Sequence, residues 1–297
     1  MRLTSAPGPV SRLVLVATLL ATLVGTLVGP AVTGAAPTAN AAPADVTTAA
    51  AARRHHPFPA TGGLDYQLGG AYAPAAGVTV VVRDVTSRPA PGLFSVCYLN
   101  GFQTQPGALR STWSGPRRAL LLRTASGALA RDPGWPDEVL LDTSTAHRRT
   151  RIARVLARQV ARCARKGFDA VELDNLDSWQ RSHGRITARD NLRLARRLIR
   201  AAHARGLLVA QKNAVEITRR AHRTGFDLAI TEDCRRWHEC GTYRRTYGAR
   251  VLMVEYRRAA FRRSCAADHP GFVVLRDREL VPRGRAGYRF ATCSASS

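Results

Sequence analysis

Short apolar, β-branched runs alternate along this chain with longer amphipathic stretches, and most of the runs end in an acid or an amide. The runs fall at 64–68, 78–83, 94–99, 139–141, 170–173, 207–210, 228–231, 251–254 and 272–275. The helical pattern is clearest at 148–165, 187–205 and 216–224, the second of these stopping at Gly206 after a basic last turn. The runs are nearly continuous in apolar residues, as strands buried on both faces of a parallel sheet require. Strand–helix repetition of this kind predicts an α/β fold. No G-x-G-x-x-G follows the first run and no G-x-x-x-x-G-K-[ST] occurs, which removes the usual reasons to expect a nucleotide-binding open sheet. The expectation is a single-domain (β/α)8 TIM-type barrel, with nine candidate strands leaving one to spare.

The ends of the runs carry the chemistry. Asp84, Asn100, Asp142, Asp174-Asn175 with Asp177, Gln211-Lys212-Asn213, Glu232-Asp233 and Glu255-Tyr256 each follow or close an apolar run. In a barrel all of them reach the same rim, where active sites are built. One acid after a strand is usually a helix cap; acids or amides after most strands are not explained that way. Carboxyls crowded at one rim also shift one another's pKa values, the condition acid/base chemistry needs. Two facing carboxyls with no metal and no cofactor suit glycosidic bond cleavage, in which one is nucleophile or base and the other delivers a proton to the leaving oxygen. No G-x-S-x-G elbow offers a serine nucleophile. Glu172 points to the opposite side of its strand from Val171 and Leu173 and joins the site only if it faces inward. Tyr66, Tyr98, Trp179, Trp237 and Tyr256 are candidates for stacking on sugar rings or for packing.

Arg2 and Arg12, an apolar run over 13–28 and Ala39-Asn40-Ala41 describe a secretory signal peptide over 1–41, and hence a secreted protein. An Ala/Thr/Pro-rich stretch over 42–60 reads as a disordered leader, leaving 61–297 as the catalytic domain. No later segment has the length and apolarity of a membrane span. Six cysteines in an exported chain predict disulfides. Cys234 and Cys240 can staple one loop, Cys265 and Cys293 can tie down the C-terminal segment, and Cys97 and Cys163 remain. No zinc-type ligand spacing accompanies them, so neither metal nor cofactor is expected. Removing Arg2 and Arg12 lowers the formal charge only from +24 to +22. The arginines are spread along helices without interleaved aromatics, so no dedicated nucleic-acid site is expected, and the protein is expected to be a monomer.

At these residues the sequence resembles glycoside hydrolase family 114, the endo-α-1,4-polygalactosaminidase-like group. The resemblance is carried by Asp65-Tyr66-Gln67-Leu68-Gly69-Gly70, Cys97-Tyr98-Leu99, the block from Gly167 to Asn175 with Asp177, the stretch from Ala202 to Leu207, Lys212-Asn213-Ala214, Glu232-Asp233-Cys234 with Glu239-Cys240, and Val254-Glu255-Tyr256. It implies a (β/α)8 fold and hydrolysis of α-1,4-linked galactosamine-containing polysaccharide. It also implies two catalytic acids, Asp174 as nucleophile and Glu232 as acid/base. The substrate-binding set expected around them is Asp65, Tyr66, Gln67, Asp84, Tyr98, Asp142, Asn175, Asp177, Lys212, Asn213, Glu255 and Tyr256. Asp233 stands where the family commonly has glutamine; it either raises the pKa of Glu232 or points away. A basic enzyme should repel a cationic, deacetylated polymer. Either the acidic rim outweighs the surface locally, or the substrate is N-acetylated, neutral or acidic, which the charge slightly favours. The rival readings are a non-catalytic carbohydrate-binding barrel of the cell envelope and a basic wall- or nucleic-acid-associated protein.

Overall fold

In the computed structural model, which describes residues 55–267 and 271–293, eight parallel strands lie side by side in chain order. They are β1 (Gly63–Gln67), β2 (Val78–Asp84), β3 (Phe94–Asn100), β4 (Ala170–Asp174), β5 (Leu208–Lys212), β6 (Leu228–Glu232), β7 (Val251–Glu255) and β8 (Phe272–Arg276). Parallel neighbours need crossovers rather than hairpins. From β3 onward those crossovers supply α1 (Ala146–Lys166), α2 (Ala188–His203), α3 (Thr218–Thr224), α4 (Cys240–Tyr247) and α5 (Arg258–Cys265). The two crossovers before β3 contain no α-helix. This is the expected TIM-type barrel.

The ninth strand is not the expected one. Residues 139–141 make isolated antiparallel bridges to Gln103, Leu121 and Arg131 inside the long excursion between β3 and α1, outside the barrel. The real extra strand is β9 (Phe290–Thr292), antiparallel to β8 with Val274 opposite Thr292. Since β7 holds one edge of β8, β9 takes the other, the edge toward β1. There Thr292 lies close enough that a Cβ on Gly63 would come within 3.0 Å of its methyl. The buried Arg276 guanidinium also donates to the Tyr66 carbonyl, drawing β8 to β1. Only three residues long, β9 is too short to show a period in sequence.

Strand side chains alternate between two cores. Leu64, Val82, Val96, Ala170, Ala210, Ile230 and Val254 fill the barrel interior. Cys97, Leu99, Val171, Leu173, Val209, Ala229 and Met253 pack outward under the helices. Disulfides reinforce that outer layer: Cys97–Cys163 joins β3 to α1, Cys234–Cys240 closes the loop before α4, and Cys265–Cys293 joins α5 to the residue after β9. Helix α2 begins with a capping box in which Thr187 and Asp190 satisfy each other's backbone N–H.

Residues 55–60, expected as the end of a disordered leader, are seated on the barrel. The His56 backbone N–H donates to Asp169 Oδ1 at 2.7 Å. Phe58 meets Phe94 and Phe272 edge-on at 5.2 and 5.3 Å, capping the end where those strands begin. The segment stays because Phe58 covers interior side chains that would otherwise face water. The signal peptide expected over 1–41, and residues 42–54 of the leader, lie outside the described residues. Among those described, no helix is long and apolar enough to cross a membrane.

Candidate active site

The alternation that fills the barrel also selects which strand-end residues enter its mouth. Counting by twos from the interior residues places Tyr98, Glu172, Asp174, Lys212, Glu232 and Tyr256 on the inner face. It places Asp65, Gln67, Gln211 and Glu255 on the outer one. Directly after Asp174, Lys212 and Glu232 the chain enters the left-handed region, at Asn175 (φ 61), Asn213 (φ 46) and Asp233 (φ 52). Asn and Asp tolerate this conformation better than other non-glycine residues. The backbone turns away at once and leaves the preceding side chain at the mouth.

Lys212 is the hub. Its side chain is 3% exposed, and Nζ lies 3.0 Å from Glu172 Oε1, 3.4 Å from Asp174 Oδ1 and 3.5 Å from Glu232 Oε2. It also donates to Tyr66 Oη at 3.0 Å. The nearest oxygens of Asp174 and Glu232 are thus no further apart than the sum of their two distances to one nitrogen. Both carboxylates remain open to the cleft, with side chains 18% and 29% exposed. Tyr98 Oη donates to Asp174 Oδ2 at 2.6 Å. Tyr256 Oη donates to Glu232 Oε1 and Asn213 Nδ2 to Oε2, while the Glu232 backbone N–H donates to Asn213 Oδ1. Each acid is fixed through both oxygens, which sets its direction without covering it.

Beneath them, Glu172 is fully buried and accepts from Tyr66 Oη at 2.8 Å; its Oε2 has no hydrogen-bond partner. Burial opposes the charge of Lys212, but Asp174, Glu172 and Glu232 outweigh it and hold the ammonium's pKa well above its ordinary value. The single cation is divided among three acids. Burial therefore dominates at Glu172 and pushes its carboxyl up to about 7, the Lys212 charge opposing. Burial likewise raises Glu138 and Glu255 to about 7. A carboxyl easier to protonate folded than unfolded favours folding below the ordinary carboxylate range, and that contribution is lost as pH rises through about 7. The melting midpoint is expected to fall, on the order of several degrees, from ~pH 5 to ~pH 8, with a shallower fall in Glu172→Gln. Thermal melts across that range check this; a midpoint rising with pH contradicts it.

The cleft is about 690 Å³, and its lining includes the expected Asp84, Tyr98, Asp174, Asn175, Asp177, Lys212, Asn213, Glu232 and Tyr256. Asp84 also accepts from the Thr86 N–H and hydroxyl. Tyr66 is fully buried below the cleft and reaches the site only through its hydroxyl.

Four expected binding residues lie elsewhere. Asp65 and Gln67 are buried on the outer face of β1, where Gln67 and Tyr72 donate to Asp65 and Arg83 donates to Gln67. Glu255, also on an outer face, accepts the Arg235 N–H at 3.0 Å beside the Cys234–Cys240 bridge. Asp142 lines a separate surface hollow, accepting from Ser144 and pairing with Arg148 at 3.3 Å. Its run is not a barrel strand, so its end does not reach the rim. The Asp233 carboxyl points away from Glu232: Oδ1 accepts the Tyr256 N–H, and Oδ2 lies 3.7 and 3.8 Å from Arg236 and Arg278. Among the described residues, a metal-ligand spacing occurs at Cys234, Cys240 and Glu255, whose sulfurs are already bonded to each other.

The sequence reading missed Asp132, Trp135, Glu138, Arg181 and Arg278, all of which line the cleft. Arg181 Nε lies 2.7 Å from Asp132, and its Nη2 donates to Asn175 and Asp177, joining the β3–α1 excursion to the loop after β4. The one signal available was Trp135 set between two acids in a Pro/Gly turn. Trp135 and Trp237 are 59% and 57% exposed, and both border the cleft. Trp179 instead packs into the core.

The fold is a TIM-type barrel with two carboxylates open to the cleft at its mouth. Residues 44–297 match the model of glycoside-hydrolase family GH114, and the chain belongs to that family. Its fold is similar to that of Ega3 of Aspergillus fumigatus, solved with galactosamine: 19% identity, TM-score 0.61, covering 79% of this chain and 96% of that one. It is also similar to the glycoside hydrolase domain of PelA from Pseudomonas aeruginosa: 16% identity, TM-score 0.53, covering 75% and 98%. No curated protein sequence shows significant similarity to this chain.

Proposed function

We propose that the protein is a secreted hydrolase of α-1,4-linked galactosamine-containing polysaccharide, with Asp174 as nucleophile and Glu232 as acid/base. The observation that carries this reading is the pair of cleft-facing carboxylates on β4 and β6, both held by one lysine. With a sugar ring across the mouth, Asp174 attacks the anomeric carbon while Glu232 gives its proton to the departing oxygen. Glu232 then takes a proton from water, which releases the sugar from Asp174. The three disulfides fit the oxidising surroundings of an exported protein.

The cleft's charge speaks for a cationic sugar. Eight carboxylate residues and four cationic ones line it, in a chain whose formal charge is +24. Screening limits the outer arginines to roughly 8–10 Å at physiological salt, so a ring in the cleft meets mainly the acids. This supports amino-bearing galactosamine units over the N-acetylated or acidic substrate that overall charge favoured. Ega3, solved with galactosamine, is consistent with it. Incubation with partly deacetylated galactosamine polymer is expected to release reducing ends. Full chemical N-acetylation of the polymer is expected to slow release at least about tenfold, the equivalent of ~1.4 kcal/mol of lost recognition. Equal rates on both polymers would refute the cationic preference, and no release from either would refute the activity.

A further inference from the structure

We propose that the outer face of α1 and α2 is a docking surface for a linear phosphodiester polymer without aromatic bases, of the polyol-phosphate kind. The five helices carry 21 Lys and Arg residues and a single acid, Asp190. Asp190 is engaged by Arg149 at 3.0 Å and by the α2 capping box. Helices α1 and α2 pack against each other. Arg154, Arg158, Arg162 and Arg165 stand exposed on the first, and Arg189, Arg193, Arg196 and Arg200 on the second. Their spacings of three and four residues align each set along one stripe, roughly 16 Å long at 1.5 Å per residue. Among the described residues none of the eight side chains has an ion pair or hydrogen bond.

A merely solvated helical face ordinarily intersperses acids at i ± 4, because like charges at that spacing destabilise the helix. Here two adjacent stripes accept that repulsion throughout. A groove at the start of α1, lined by Arg117, Arg151 and Arg154 and free of acids, extends the row. The guanidinium fork matches phosphate oxygens two at a time. Neither helix bears Phe, Tyr or Trp, so nothing is present to stack on the bases of a single-stranded nucleic acid. Both helices lie packed against the barrel and against each other, so neither stands free to enter a duplex groove. What fits is a flexible chain bound through its phosphates alone. A polycationic substrate is itself retained by polyanions, so an acidic cleft and a basic jacket would address both parts of such a complex. That last step rests on the proposed substrate; binding to the jacket does not.

The test uses the full mature chain and a synthetic glycerol-phosphate oligomer, with affinity measured against salt concentration. Arg158→Ala, Arg162→Ala, Arg193→Ala and Arg196→Ala together keep good helix formers on exposed positions. They are expected to weaken binding at least tenfold at low salt. They should also lower the slope of log affinity against log salt by about 3, on the ~0.7 per phosphate contact of a single-stranded polyanion. The control removes the same charge from exposed Arg257, Arg258, Arg262 and Arg263 on and beside α5 and is expected to bind as the wild type does. An equal loss in the control would show attraction by net charge alone and overturn the site. Absence of binding by the wild type would do the same. Tighter binding of charge-matched duplex DNA through the same arginines would overturn the occupant. Hydrolysis of the galactosamine polymer, read separately, reports on the cleft.

Discussion

Asp174→Asn and Glu232→Gln are each expected to slow release of reducing ends by about 10²-fold or more while leaving the melting midpoint close to that of the wild type. Removing a nucleophile leaves no route to the glycosyl intermediate, so Asp174→Asn should lose on the order of 10⁴-fold or more. Removing a general acid costs about 10²–10⁴-fold, and Glu232→Gln should fall in that range. Substrates whose leaving groups need no proton should partly rescue Glu232→Gln and not Asp174→Asn, which separates the two roles. Both substitutions keep side-chain size, and both positions are open to solvent, so neither leaves a cavity. In Asp174→Asn the amide oxygen can still accept from Tyr98, and Lys212, which meets the other oxygen, keeps Glu172, Glu232 and Tyr66. Retention of ordinary activity by either variant would remove that residue from the chemistry.

Lys212→Met should have the largest effect on stability. The ammonium sits among Glu172, Asp174 and Glu232 with almost no water. Deleting one partner of a buried charge cluster leaves uncompensated charge and costs about 3–5 kcal/mol. In a domain of this size that lowers the melting midpoint by about 10 °C. The sign of the pH dependence follows from the same charges. Protonating Glu172, whose carboxyl burial raises to about 7, removes part of the repulsion that the lysine balanced, so the deficit should shrink toward ~pH 5 and widen toward ~pH 8. Melting the variant and the wild type in parallel decides it: a pH-independent deficit would mean that lost packing, not lost charge, dominates. Glu172→Gln in the Lys212→Met background should recover part of the loss, because it takes one carboxylate out of the unbalanced group.

Much of the architecture was legible because burial on both faces writes a plain pattern. A strand inside a closed sheet is largely apolar, and β5 to β8 open on unbroken apolar runs, while β1 to β4 are interrupted by Asp65, Thr79, Ser95 and Glu172. The reading failed where the pattern is short or borrowed. The run at 139–141 has a strand's composition because it is buried, yet it lies in an excursion and pairs antiparallel with local segments. Strand β9 has only three half-buried residues, and α4 and α5 are too short for a period to declare itself. Asp132, Trp135 and Glu138 belong to that same excursion, and nothing local says that it folds back over the mouth.

The sequence by itself determined the order of strands and helices, the acids at their ends and the cysteines available for bridging, because these follow from local composition and spacing. Tertiary structure decided which acids face one another. The deciding quantity is the parity of each strand: one residue's difference sends Glu172 inward to Lys212 and Glu255 outward to the Cys234–Cys240 loop. Parity is fixed only when strands from distant parts of the chain settle against one another in register. Glu232 and Asp174 lie 58 positions apart in the chain, yet they share one ammonium, because the barrel that closes around Lys212 leaves both strands the same interior.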